Sequence, residues 1–261
     1  MIRRSFLKLT SLASLGLNSK QFLTQTTHYL TLSFDDGFKK SCYKTAKIFE
    51  NYGLKASMNI IASGHLESFS NDYKWMPKKL LGDFYDWNIL KSRGHEIMPH
   101  SWEHLNLTKI PIENAKNNID KCLEYFNNNL DNFSQSDSIF NYPYNSSNKE
   151  IDEYLLKKVK AVRTAGRLVL KNKLSNEIPN KKTNLRLGTW GYGPDKSDAF
   201  VEKSINSFLK SNGGWLILTL HGLDNEGWGP LSSNYLDKLL NRLIKVNFLE
   251  IKTIGDVFNL N

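Results

Sequence analysis

Short apolar runs of strand length alternate with amphipathic helical stretches along most of this chain. Runs at 28–34, 55–62, 95–99, 138–142, 161–165, 185–190, 214–221 and 248–253 read as strands, and 39–52, 112–128, 148–159 and 232–246 carry apolar residues at helical spacing. Such alternation builds parallel sheets from βαβ units. Eight strands and their crossovers predict a barrel. The Lys- and Asn-rich stretch 170–184 and the stretch 191–198 read as loops inserted in that frame, and no internal repeat is visible. At 261 residues and 40% hydrophobic, the chain can bury one substantial core, so a single domain is expected.

In parallel α/β barrels the functional groups sit at the C-terminal ends of the strands. Asp35 and Asp36 end the first predicted strand, His100 follows the third, Tyr144 follows the fourth and His221 closes the seventh. Five polar groups are thereby expected on one rim, a convergence that solvated surface positions do not explain.

In Ser33-Phe34-Asp35-Asp36-Gly37, the glycine lets the backbone turn sharply after an apolar strand, and adjacent carboxylates point in different directions. One can ligate a cation while the other faces a water; taken alone, the run is an ordinary turn. His100-Ser101-Trp102-Glu103-His104 changes that balance. On a helical turn, histidines four apart share a face and can reach one ion. Asp36, His100 and His104 form a sensible metal set that leaves coordination positions open for water and substrate. The order differs from the His-Glu-x-x-His of metalloproteases.

Together with Trp215-Leu216-Ile217-Leu218-Thr219-Leu220-His221-Gly222, these segments resemble three ordered motifs of the polysaccharide deacetylase family, carbohydrate esterase family four. The resemblance covers about 27–257. It implies an irregular (β/α) barrel of seven to eight parallel strands, with the active site in a groove across the C-terminal strand ends. It also implies hydrolysis of acetyl groups, N- or O-linked, on a polysaccharide or oligosaccharide. Carried over by position, Asp36, His100 and His104 match the metal ligands, Asp35 the general base and His221 the general acid. Ser101 matches the residue that braces the histidine loop. One divalent metal is implied, zinc first, with cobalt, nickel, manganese or iron also compatible with such a site.

Departures from the family pattern are equally specific. Where the family has Arg-x-Pro-Tyr-Gly, this chain has Asn141-Tyr142-Pro143-Tyr144-Asn145, so the arginine that braces the base is missing. Arg163, on the next strand, is the expected substitute. The Pro143-Tyr144 pair is kept, and the Tyr144 N–H is the expected oxyanion donor. The family's fourth motif is replaced by Gly188-Thr189-Trp190-Gly191-Tyr192-Gly193-Pro194-Asp195. There Trp190 lines the acyl pocket, stacks on a sugar or belongs to the core, while Asp195 either orients His221 or lies on the surface. Thr219 stands where the family favours leucine, which predicts a less apolar acyl pocket. Trp228 follows His221 by a short loop and is a candidate sugar platform.

Residues 1–20 differ in character from the rest, and Arg3-Arg4-Ser5-Phe6-Leu7-Lys8 followed by a short apolar run resembles a twin-arginine export signal. The expected organisation is thus a signal over 1–20 and a deacetylase domain over 21–261, with the twin-arginine machinery as a partner and a periplasmic or extracellular destination. No apolar run approaches the ~20 residues that span a bilayer. Of the formal net charge of +9, the first twenty residues contribute four, leaving +5, which argues weakly for nucleic acid, and none is expected. Cys42 and Cys122 lack metal-ligand spacing and are free core thiols or a disulfide. Two other functions stay open: a carbohydrate-binding protein that keeps its metal without turnover, and an amidase on a small nitrogenous ring.

Overall fold

The computed structural model describes residues 27–71, 73–171, 173–179 and 185–260. The stretch expected to direct export lies outside them, as does part of the loop expected at 170–184. In chain order the elements are β1 (His28–Phe34), α1 (Lys39–Glu50), β2 (Ser57–Ile60), α2 (Phe84–Ser92), β3 (Glu96–Pro99) and α3 (Ile112–Asn129). There follow β4 (Ile139–Asn141), α4 (Lys149–Leu155), β5 (Ala161–Ala165), α5 (Gly166–Val169) and β6 (Arg186–Gly191). The chain closes with α6 (Ser197–Leu209), β7 (Gly214–Leu220), α7 (Ser233–Leu243), β8 (Leu249–Ile251) and α8 (Ile254–Phe258).

Seven parallel strands run in the order β3-β2-β1-β7-β6-β5-β4 and nearly close a barrel. Strand β1 pairs with β7 along its whole length; its other edge is shared, β8 covering His28–Leu30 and β2 covering Ser33 and Phe34. Between β3 and β4, side chains complete the circle in place of a backbone ladder. His100 Nδ1 donates to the Asn141 carbonyl at 2.8 Å, and Asn141 Nδ2 donates to the Pro99 carbonyl at 3.4 Å.

Period-two alternation sorts the strand residues into two environments. Leu30, Leu32 and Phe34 of β1 pack outward under the helices, against the large cluster that includes Phe49, Trp87 and Phe126. The intervening positions face the barrel interior. At its base Ile139, Ala161, Leu187, Trp215 and Ile217 form a second cluster, stoppered by Ile254 and Val257 of α8. Two residues further along the same strands, Asn141, Arg163, Thr189 and Thr219 are all buried. The interior therefore changes from apolar at the N-terminal end to polar at the C-terminal end, where buried polar groups require partners.

Four helices, α2, α5, α6 and α8, lie outside the stretches expected to be helical, and two of them bear on the site. The segment Phe84–Ser92 is a helix begun by a capping box, Asp83 accepting from the Asp86 N–H and Asp86 from the Asp83 N–H. The loop expected at 191–198 stops at Lys196, whose left-handed backbone (φ 63°) opens α6 at Ser197. Cys42 and Cys122 are free and buried on α1 and α3, and burial pushes both thiols up.

Candidate active site

Asp35 and Asp36 leave β1 in opposite senses because Asp36 (φ 77°) and Gly37 (φ 83°) are both left-handed. A side chain at Gly37 would meet Ile60 and Trp87 at 3.2 Å, so the turn is fixed by its neighbours. Asp35 continues the inward alternation. Its Oδ1 accepts from Asn59 Nδ2 at 2.7 Å, and its Oδ2 accepts from Arg163 Nη2 at 2.7 Å. Arg163 is fully buried, and its Nη1 donates to Thr219 Oγ1 at 2.5 Å. Thr219 in turn touches Thr189 Oγ1 at 2.9 Å and Asn145 Oδ1 at 3.4 Å.

Three departures from the family pattern thus belong to one neighbourhood. The cation expected from β4 arrives from β5, and Thr219 accepts one arm of its fork where leucine could not. Asn145 reaches the same hydroxyl, with φ 49° at a position where the family has glycine. Asn141, with no arginine to extend, turns its amide to the Ile139 and Pro99 carbonyls and ties β4 to β3.

Asp36 turns the other way. Its Oδ1 lies 3.5 Å from His100 Nε2 and 3.3 Å from His104 Nε2, and one ligand atom from each of the three residues falls within 4.8 Å of the others. Both Asp36 oxygens are buried without a hydrogen-bond partner among the described residues. The Nδ1 bond to Asn141 fixes the His100 ring and leaves Nε2 facing the aspartate. Burial alone would raise the Asp36 carboxyl, but the His100 imidazole facing it and the nearby His104 and His221 hold it at about 2. Burial likewise pushes His104 down to about 4, against the pull of Asp36. At neutral pH the trio is one carboxylate with neutral His104 beside it, the protonation state in which such groups ligate a cation.

The histidine pair reaches this point by a route other than the expected helical turn. Residues 100–104 are irregular, and left-handed backbone at Ser101 (φ 68°) and His104 (φ 57°) folds the chain back on itself. Ser101 Oγ accepts from the His104 N–H at 2.9 Å, while the Ser101 and Trp102 carbonyls accept from the Ala62 and Ser63 N–H groups.

Asp35, His100, His104 and His221 open on a pocket of about 480 Å³. Half-buried His221 stands between two indoles edge-on, Trp75 at 6.4 Å and Trp228 at 5.6 Å between ring centroids. Trp190 and Trp228 both line the pocket, and Trp190 is anchored by an Nε1 bond to the Leu174 carbonyl. Tyr144 also lines it; the turn around it spends the Asn145 and Ser146 N–H groups on its own hydrogen bonds. Asp195 is the exception among the expected site residues. It is exposed, lies outside the pocket lining and makes no hydrogen bond to His221, because the 192–196 turn carries it outward ahead of α6. The sequence reading missed Tyr73, Trp75 and Asn59. The Tyr73-Lys74-Trp75 cluster was visible, but no motif or period tied it to the strand ends.

The sequence signature "Polysaccharide deacetylase" matches residues 23–161. The chain belongs to the polysaccharide deacetylase family. Solved structures agree on the family's fold. A putative polysaccharide deacetylase from Mycobacterium smegmatis superposes with TM-score 0.62 at 9% identity, covering 90% of each chain. The Xyl-CE4 domain of a multidomain xylanase from the hindgut metagenome of Trinervitermes trinervoides superposes with TM-score 0.55 at 15% identity, covering 90% of this chain and 91% of that one. A peptidoglycan deacetylase from Bacillus subtilis gives TM-score 0.55 at 16% identity, covering 89% and 91%. No curated protein matches the sequence.

Proposed function

We propose that this family member hydrolyses acetyl groups, N- or O-linked, from a polysaccharide or oligosaccharide, with a divalent metal held by Asp36, His100 and His104. The observation that carries the reading is the buried Asp36 carboxylate, both oxygens unsatisfied, beside two imidazoles and a second carboxylate braced by arginine. A buried ion with no partner is costly, and a cation between the three donors removes that cost. One carboxylate and two imidazoles suit zinc, and also cobalt, nickel, manganese or iron. When bound, such a cation supplies Lewis acidity toward an acyl oxygen and a water.

The chain's own residues supply the proton transfers. Asp35, its lone pairs aimed by Asn59 and Arg163, accepts the proton of the attacking water. The Tyr144 N–H donates to the acyl oxygen as it becomes negative, a contact of a kind worth about 2.7–4 kcal/mol. His221 then protonates the leaving amine or alcohol, and Trp190 and Trp228 flank the sugar.

Carbohydrate polymers named for the similar structures, xylan and peptidoglycan, head the substrate panel together with chitooligosaccharides. Acetate release by the metal-loaded protein, lost in Asp35→Asn, is the expected result. If both proteins are silent while metal and glycan still bind, the protein is a carbohydrate-binding relative without turnover. Opening of a small cyclic amide instead of acetate release would make it a ring amidase. Export by the twin-arginine route belongs to the same proposal and rests on Arg3 and Arg4. Replacing both with Lys should retain the protein inside the cell, and undiminished export would refute that route.

A further inference from the structure

Five of the segments around the pocket touch one another in a closed circuit. Starting after β4, the Asn145 carbonyl accepts from Thr164 Oγ1, joining the Tyr144 turn to the end of β5. Gly166, next along, is covered by the Trp190 indole so closely that a Cβ there would lie 2.6 Å from it. Beyond Trp190, Gly193 lies under Trp228, where a Cβ would stand 2.8 Å from the ring. Trp228 meets His221, His221 meets Trp75, and Trp75 stacks on Tyr73 at 5.3 Å between centroids. The Tyr73 hydroxyl then hydrogen-bonds the Tyr144 hydroxyl, which closes the circuit above His104.

The Tyr73 side of this circuit is a built wall. The segment between β2 and α2 packs on a small core of its own, in which Ile61, Phe69, Met76 and Leu81 are buried around Phe38. Asn71 ties it further, donating to the Met76 carbonyl and accepting from the Tyr73 N–H. Trp75 leans against this core and presents its edge to both His104 and His221.

A groove that binds the middle of a polymer must be open at two ends, since the chain enters on one side of the scissile group and leaves on the other. A ring-shaped rim admits only what can be inserted from above. The pocket volume, about 480 Å³, lies in the roughly 300–1,000 Å³ range of sites that take a single small ligand. Resting on the deacetylase reading, the geometry points to a substrate presented end-on: one acylated sugar at a chain terminus, or a short oligosaccharide, with the aromatic rim gripping that single ring. Tyr73 is the specificity-determining residue, because its hydroxyl bridge closes the side on which a continuing chain would leave.

The test uses two ladders of one to six residues, N-acetylchitooligosaccharides and acetylated xylooligosaccharides, with binding read by quenching of the rim tryptophans and products read by mass spectrometry. For the ladder that binds, affinity should level off by the second residue, changing less than about twofold from two to six. The hexamer should lose acetyl groups from a terminal unit alone. Affinity that tightens tenfold or more between two and six residues, or loss of acetyl groups from interior units, overturns the proposal. Tyr73→Ala should raise interior deacetylation of the hexamer at least fivefold relative to terminal deacetylation, and Tyr73→Phe, which keeps the ring, should do so less. An unchanged pattern in Tyr73→Ala also counts against it. Failure of the deacetylase reading looks different: no acetate leaves a ladder whose short members still quench with the predicted plateau. Absence of both quenching and release refutes the two together.

Discussion

Asp35 and Asp36 are neighbours in sequence, both buried, and opposite in what the protein does with them. Asp35 has each oxygen hydrogen-bonded at 2.7 Å, one to Asn59 and one to Arg163, and the arginine is itself held by Thr219. Among the described residues Asp36 has no hydrogen-bond partner on either oxygen, only two imidazoles at 3.3 and 3.5 Å. The same residue type at the same strand end is thus in one case fully satisfied by the fold and in the other left with a demand the fold does not meet. A satisfied charge is a positioned one. An unsatisfied buried charge marks where something from outside belongs.

The comparison breaks most visibly if Asp36 is removed. Asp36→Ala should abolish stoichiometric metal binding, read by elemental analysis after dialysis, and lower acetate release by roughly a thousandfold or more. Retention of one metal per chain would transfer the ligand role elsewhere. Asp35→Asn should leave the metal in place and cost about 10²–10⁴-fold in rate, the usual worth of a positioned base. Loss of metal from this variant would mean the two aspartates do not divide the work. Arg163→Met leaves Asp35 buried without its cation. Breaking such a pair costs about 3–5 kcal/mol, which urea unfolding of the metal-loaded protein will measure. It should also reduce activity far more than Arg167→Met, and equal effects would remove Arg163 from its role.

The titration of His104 sharpens the comparison in the metal-free protein. Its pKa, about 4 when folded against 6.5 unfolded, means that the unfolded chain binds more protons between these values. Stability should therefore be fully present above pH 6.5 and decline as pH falls toward 4. Asp36, held at about 2 against 3.8, extends the loss in the same direction at lower pH. Added metal should compete with the protons and shift the decline to more acidic pH, and a metal-insensitive acid limb would disconnect His104 from the site. The smallest effect is expected at the rim. Trp228→Ala should raise KM by up to about tenfold with little change in kcat, as suits one aromatic contact to substrate.

Legibility of the site followed the range of the interactions. The strands were visible because period two is a local property, and β1 and β5 run over the expected residues, 28–34 and 161–165. The candidate metal ligands were visible because two short segments, one ending at Asp36 and one holding His100 and His104, contain all three. The local geometry of the histidines was misread all the same. Four-residue spacing suggests a helical turn, whereas two left-handed residues and the bond from the His104 N–H to Ser101 bring the rings together without one. Helix α2 escaped notice because nine residues begun by a capping box offer only a short stripe, Phe84, Trp87 and Leu90. Asp195 looked placed to orient His221 on sequence order alone, and one turn before α6 carried it to the surface.

What the sequence by itself determined is the alternation of strand and helix, the parallel barrel that follows, and the candidates for holding a metal and moving protons, since each is written in short segments. Tertiary structure decided how Arg163, the substitute expected from the sequence, takes the place of the missing arginine. Arg163 reaches Asp35 across 128 residues of chain, and it does so because β5 faces the interior of the same barrel as β1. It also decided the shape of the pocket, because Tyr73 and Tyr144 meet only after β2 and β4 have been brought to one end of a nearly closed barrel. Contacts of that kind depend on where distant strands end in space, and no window of sequence contains both partners.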